Sequence, residues 1–316
     1  MTDRVLVTGG AGFIGSHVAD AYLTHGYAVT VLDNLSSGRR ENVPDGAEFV
    51  QADIRAPEAR ALLATGGFAV LNHHAAQMDV RVSVRDPAFD ADVNLLGLLN
   101  LLEGARAGGV GRVVFASSGG VVYGESDALP HPETAPKLPV SPYGVSKLAS
   151  EYYLAQYAIL YGLDVRSLRY ANVYGPRQSP HGEAGVVAIF GSRLRNRTGI
   201  TVYGDGKQTR DYVYVGDVAR ANVLATAAPP VPPRTLDDLA VNVGTGLETD
   251  VNQLAATMMQ AAGVEVPVEH APARPGELQR SAVAVARAAG ALGWRPDMSL
   301  ADGLRHTYEW IAGVPA

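Results

Sequence analysis

The chain contains no cysteine, which excludes disulfides, thiolate metal sites, redox dithiols and a cysteine nucleophile. It also has little charge: Asp, Glu, Lys and Arg make up 18% of its 316 residues, below the ~25% of an ordinary globular protein. Lysine is scarcest, with only Lys137, Lys147 and Lys207 among 26 basic residues, so the place of each lysine is informative. The net charge of −6 argues against a nucleic-acid or membrane-surface binder. No apolar run approaches the ~20 residues of a membrane span, and MTDRVLVTGG enters a strand without a signal core. Small-molecule partners, no metal and a cytoplasmic location are expected.

What is present points to an ordered α/β protein. Apolar residues reach 47%, and there are 35 glycines, a composition far from that of disordered chains. Strand-like runs at Val5 to Thr8, Val29 to Asp33, Phe49 to Ala52, Ala69 to Leu71, Val113 to Ala116 and Val165 to Arg169 alternate with helical patterns at Ile14 to Thr24, Asp92 to Ala107 and Pro142 to Tyr161. This alternation predicts βαβ units and a parallel sheet buried on both faces. After Asn172 the pattern breaks into a long loop, and further helices are expected at Val186 to Arg195, Val251 to Ala262 and Leu300 to Ile311. The predicted fold is a doubly wound parallel α/β sheet of the Rossmann type with a smaller mixed α/β substrate-binding region. The first domain spans residues 1–171, with a return at about 210–245, and residues 172–209 and 246–316 form the second region.

Gly9, Gly12 and Gly15 stand three residues apart where the first strand passes into a helix. Glycine suits such a turn because the backbone must turn tightly and approach a pyrophosphate, while helix N-terminal amides face the anion. The second strand ends at Asp33, 24 residues after Gly9, near the ~20 at which a carboxylate grips the adenosine ribose. Together they predict a bound dinucleotide. A carboxylate repels a 2′-phosphate, so NAD is favoured over NADP; Arg39 and Arg40 nearby are the contrary signal, or simply solvated loop charges. Asp53 either meets the adenine amino group or caps a strand-end turn.

In SPYGVSK, Tyr143 and Lys147 are four residues apart and share one helix face. Ser141 suits the N-cap and Pro142 the first helical position. Tyr143 then reads as a phenolate base held by Lys147. Bringing a phenol from ~10 to near 7 takes about 4 kcal/mol, which a lysine and a positive nicotinamide supply in a water-poor site. Tyr203 and Lys207 repeat the spacing, but Gly204 and Gly206 make that segment a turn.

The ordered segments TGGAGFIGSH, DNLSSGRRENV, HHAAQ, VVYG, SPYGVSK, RYANVYGPRQ, YGDGKQTRDYVYVGDVA, RPGE and LGW resemble, over essentially the whole chain, the extended short-chain dehydrogenase/reductase family. Within it, the likeness is to the sugar-nucleotide 4-epimerases of the UDP-glucose 4-epimerase type. The resemblance implies that Phe13, Ile14, Asn34, Ile54, His74, Ala75, Ala76, Gln77, Asn94, Ser117 and Tyr170 join the cofactor site. It places Ser118, Tyr143, Asn172, Val187, Tyr203, Arg210, Arg274 and Glu277 around a UDP-sugar, Arg210 and Arg274 on the phosphates and Glu277 on the uridine ribose. It also implies a homodimer through the helices at 92–107 and 142–161. One departure stands out. The family's sugar-facing hydroxyl position is Gly119 here, so Ser118 or Ser117 substitutes, or a Tyr–Lys pair works alone. Val121 and Gly120 occupy positions where related dehydratases carry acids, which weighs against water elimination.

The implied reaction is epimerisation through a transient 4-keto sugar, with Tyr143, Lys147 and Ser118 as catalytic residues. A small Ser281 beside the sugar 2-substituent leaves UDP-N-acetylglucosamine open, and Arg177 is the candidate cation for UDP-glucuronate. From a different class, a non-catalytic NAD-binding regulatory protein would need the glycine turn but neither SPYGVSK nor the arginines.

Overall fold

The computed structural model describes residues 2–180, 185–273 and 278–313. Strands β1 (Arg4–Thr8), β2 (Ala28–Asp33), β3 (Glu48–Gln51), β4 (Val70–His73), β5 (Arg112–Ser118) and β6 (Asp164–Tyr170) alternate with helices α1 (Phe13–Thr24), α2 (Pro57–Thr65), α3 (Val80–Arg85), α4 (Pro87–Ala91), α5 (Gly97–Ala107) and α6 (Pro142–Tyr161). Then follow β7 (Asn172–Tyr174), α7 (Val186–Arg195), β8 (Ile200–Tyr203), β9 (Thr209–Arg210), β10 (Tyr212–Tyr214), α8 (Val215–Ala227), β11 (Ala240–Val243), β12 (Thr249–Asp250), α9 (Val251–Ala262), β13 (Val268–Ala271), α10 (Ala286–Leu292) and α11 (Leu300–Gly313).

Seven strands pair in the order β3-β2-β1-β4-β5-β6-β11, all parallel. The order reverses between β1 and β4, which opens a crevice at the carboxyl ends of these strands. Side-chain alternation builds a layer on each side. Leu6 and Leu32 pack with α2, α5 and α6, while Val5, Val7 and Val31 pack with α1 and α8. Each such side chain, fully buried, contributes roughly 1.5–3 kcal/mol of transfer free energy. A separate apolar cluster joins Val187, Phe190 and Leu194 of α7 to Leu254 and Met258 of α9 and Leu304 of α11.

Helices α6, α7 and α9 have the expected bounds. Ser141 caps α6 by accepting from Gly144 N at 3.1 Å, and Gly162 ends it in the left-handed region with φ 69°. The helix expected over 92–107 is divided: Asp92–Leu96 forms a π-helical turn before α5. The Asn94 side chain at this widened turn bonds both Gln77 N and Gln77 O at 2.9 Å, a local competitor to regular winding. The segment after Asn172, expected as a loop, contains β7, which pairs with β10.

Candidate active site

The crevice is lined first by the glycine turn. Gly9 has φ +69°, and a Cβ there would stand 2.6 Å from Ala75 N. Gly12 is the N-cap of α1, and a Cβ on Gly15 would meet the Gly9 carbonyl, with Gly9 C at 2.8 Å. No side chain caps α1, so its opening turn, with Phe13 and Ile14, keeps amides directed at an incoming anion.

Asp33 is buried at the end of β2. Its carboxylate accepts from Ala11 N at 3.0 Å and Leu35 N at 2.8 Å, which fixes it beside the glycine turn. Asn34 donates to Asp53 at 3.0 Å. The Arg55 guanidinium on Asp53 holds that carboxyl well below the usual carboxylate range. Ile54 is buried against the bare Cα of Gly97. Arg40 lies over the Phe49 ring at 4.5 Å and Arg39 turns to Glu41 at 3.7 Å, partners that account for both arginines as loop charges.

The loop after β4 forms the next wall. Ala75 N donates to Thr8 Oγ1 at 3.3 Å, and His74 Nε2 lies 3.1 Å from the Tyr170 hydroxyl with the two rings stacked. Burial and the Lys147 charge push His74 down to about 3, so its ring is neutral near pH 7. Ala76 is half-buried in the same loop. Tyr170 also bonds Asn222, and burial drives its phenol well above the usual range.

Tyr143 and Lys147 stand one turn apart on α6. Lys147 is 4% exposed. Its Nζ donates to Ala116 O at 2.8 Å, and lies 4.8 Å from the Phe115 ring centroid and 5.7 Å from that of Tyr143. Burial lowers the ammonium to about 8, with Asp90 and Glu151 opposing. A half-buried phenol beside a desolvated cation is an arrangement suited to proton transfer.

The two serines of β5 part company. Ser117 donates to Glu151 at 2.5 Å, which commits its hydroxyl to α6. Ser118 points the other way: the place of a Gly120 Cβ lies 3.8 Å from Ser118 Oγ and 3.9 Å from Asn172 Oδ1, so these atoms border one space. A Cβ on Gly119 would stand 2.7 Å from Val283 Cγ1; a side chain at the position that departs from the family pattern would have to displace Val283.

Toward the second region, Asn172 is exposed, Tyr203 is 37% exposed at the end of β8, and Arg210 is half-buried and donates to Thr209 O at 2.8 Å. Val187 is buried in the second apolar cluster; only its backbone, in the first turn of α7, is suited to a polar ligand. Ser281 is buried. Arg177 pairs with Asp20 at 2.7 Å. Arg274 and Glu277 lie outside the described residues. Lys207 follows the turn made by Gly204 at φ +76° and Gly206 at φ +74°, away from any shared helix face.

Several residues that sequence reasoning missed support these groups. Asp211, buried, accepts from Thr245 N at 2.8 Å, Gly246 N at 3.0 Å and Val283 N at 3.3 Å; its burial raises the carboxyl above its ordinary value. It therefore holds Val283 and the turn at 244–246 next to Arg210. Glu151 and Arg169 form a fully buried pair at 2.6 Å behind Ser117. The Y-x-x-x-K spacing extended by one more turn reaches Glu151, the one signal that was available.

A family model described as the NAD dependent epimerase/dehydratase family matches residues 5–244. The UDP-glucose 4-epimerase of Mycolicibacterium smegmatis is 47% identical over 98% of this chain and 98% of that protein. The crystal structure of Thermotoga maritima UDP-glucose 4-epimerase with UDP-glucose superimposes with a TM-score of 0.93 at 44% identity, covering 97% of this chain and 98% of that one. The Thermus thermophilus UDP-glucose 4-epimerase, in complex with NAD, gives 0.92 at 46% identity, covering 99% and 100%.

Proposed function

The chain belongs to the NAD dependent epimerase/dehydratase family, and from that premise we propose that it is an NAD-dependent isomerase that interconverts the 4-epimers of a UDP-hexose, UDP-glucose and UDP-galactose. The observation that carries this reading is the Tyr143–Lys147 pair, with Lys147 buried on Ala116 O at the rim of the crevice that the glycine turn lines. The bare Cα atoms of Gly9 and Gly15, the uncapped start of α1 and the fixed carboxylate of Asp33 fit a dinucleotide. Phe13, Ile14, Asn34, Asp53, Ile54, His74, Ala75, Ala76, Gln77, Asn94 and Tyr170 complete that cleft in this reading, and Ser117 contributes through its backbone.

NAD, when bound, supplies a reversible acceptor for the hydride of sugar carbon 4. Tyr143 takes the proton of the 4-hydroxyl and returns one when the transient 4-keto sugar is reduced on its other face. Lys147 stabilises the phenolate, and Ser118 donates to the sugar oxygen. Asn172, Tyr203, Arg210, Arg274, Glu277 and the backbone at Val187 hold the UDP, since guanidinium forks match phosphate oxygens. A firmly held UDP keeps the keto sugar from leaving while the hexose turns.

The test is incubation with UDP-galactose, UDP-N-acetylgalactosamine and UDP-glucuronate, with and without NAD, followed by chromatography. Conversion of UDP-galactose to UDP-glucose is expected; no conversion of any of the three overturns the reading. In this reading the small Ser281 leaves room for the N-acetylated hexose as a second substrate. The Arg177–Asp20 pair already engages the cation that a glucuronate would need.

The homodimer belongs to the same proposal. Leu96, Val145, Tyr152, Tyr153, Ile159 and Leu160 are 42–66% exposed along α6 and the turn before α5, an apolar surface that a second copy would cover. Sedimentation is expected to give twice the monomer mass, and Ile159→Asp with Leu160→Asp to give the monomer. A monomeric wild-type protein would refute this part.

A further inference from the structure

Val283 is 1% exposed and fills the space between two glycines. A Cβ on Gly119 would stand 2.7 Å from its Cγ1, and a Cβ on Gly244 2.6 Å from its Cγ2. Neither glycine lies in the left-handed region, so space rather than backbone strain keeps both bare, and Val283 is their common neighbour. Gly244 also meets the Asp211 carboxylate at 2.5 Å. The next neighbours of Gly119 are the Arg169 and Tyr170 carbonyls at 3.2 and 3.4 Å, which would need to give by only a few tenths of an ångström. At Gly119, then, the valine decides.

This valine is held where it is. Its N donates to Asp211 at 3.3 Å. On either side of it, His131 N donates to Ala282 O at 2.9 Å and Ala284 N to His131 O at 2.8 Å, and Asn242 Nδ2 donates to Ala284 O at 3.1 Å. A β-branched side chain on a fixed backbone has little rotamer freedom, so two walls of the crevice rest on it. One is the turn of Ser118, Gly119 and Gly120. The other is Gly244 with Ala171, whose N donates to Val243 O at 2.9 Å, and Asn172 follows directly. Ser118 Oγ and Asn172 Oδ1, one from each wall, border the same space, 3.8 and 3.9 Å from the place of a Gly120 Cβ.

We propose that Val283 is a positioning residue: it is the spacer that sets the distance between the wall carrying Ser118 and the wall carrying Asn172, and with it the fit of a ligand that spans both. This inference rests on the UDP-sugar reading of the site, in which Ser118 meets the sugar and Asn172 the UDP. A change in the separation disturbs both contacts at once, and small misplacements are costly to a reaction that depends on orientation.

The spacer is tested by moving a methyl group from one side of the contact to the other, with Val283→Ala, Gly119→Ala and the two combined, all assayed well below their thermal midpoints. Val283→Ala is expected to lower kcat for UDP-galactose about 10- to 100-fold with the affinity for NAD unchanged. Gly119→Ala overpacks the contact, and should lower the thermal midpoint by roughly 2–10 °C together with kcat. In the double variant the new methyl enters the space that the valine vacates, so kcat and midpoint should both exceed those of either single variant. Val283→Thr keeps the branched shape and should recover most of the turnover lost in Val283→Ala. Should Val283→Ala fail to fold alone, Gly119→Ala against the double variant gives the same comparison. A purely structural valine would move the midpoints and leave kcat at the wild-type value, and that result, or losses that simply add in the double variant, overturns the proposal. A wild-type protein that converts no UDP-sugar refutes the functional reading, whereas an active one indifferent to Val283→Ala refutes the spacer alone.

Discussion

Tyr143→Phe is expected to lower kcat for UDP-galactose by about 10²- to 10⁴-fold, the usual contribution of a positioned acid–base group, with KM within a few fold of wild type. The substitution deletes one oxygen and keeps the ring that lies near Lys147 at 5.7 Å. Packing is therefore conserved, and the loss reports on proton transfer. At saturating NAD, a steady-state assay separates the two parameters. Turnover equal to wild type would mean that another group takes the 4-hydroxyl proton, and Ser118 would then become the one to remove.

Glu151→Ala is expected to destabilise the fold by about 3–5 kcal/mol, because it removes the bidentate partner of a buried guanidinium and leaves only Asp237, at 3.3 Å, as a charged partner. Arg169 has no exposed side-chain surface. It meets Glu151 at 2.6 Å, the Tyr123 hydroxyl at 3.0 Å and the Glu133 carbonyl at 2.9 Å, and lies 3.3 Å from Asp237. With Glu151 gone, Ser117 also loses its acceptor. Urea denaturation monitored by circular dichroism gives the difference directly. The double variant Glu151→Leu with Arg169→Met should recover most of the loss, since an apolar pair of similar volume avoids the desolvation cost. A single variant as stable as wild type would show that Asp237 or solvent compensates Arg169.

Much of this molecule was legible because local signals and burial agree. The alternation of short apolar runs with helical patterns exposes the doubly wound sheet, and Ser141–Pro142 fixes the start of α6 to the residue. Other features depend on partners distant in sequence. The closure of Gly119 is made by Val283, 164 residues further on, so a missing hydroxyl and a filled space look the same in the sequence. The strand β11 follows a proline-rich stretch and joins the sheet only by pairing with β6, far earlier in the chain. Asp90 reads as one more acid in a polar turn until the fold brings Gln77 and Ser146 to it. Asp33 and Lys147 could be singled out because each answers a chemical requirement at a known place on a strand or helix.

The late arrival of β11 has a consequence for how the chain is made. Residues 240–243 pair with 167–170, and Asn242 bonds the Tyr123 hydroxyl, the Glu133 carboxylate and the His131 carbonyl. Until about three-quarters of the polypeptide has left the ribosome, β6 remains an open edge with unpaired backbone groups, a template for wrong partners. The nascent chain must therefore remain unfinished, or be shielded, while the intervening segments are synthesised. A fragment ending near residue 171 would therefore keep β6 as an unpaired edge of the sheet.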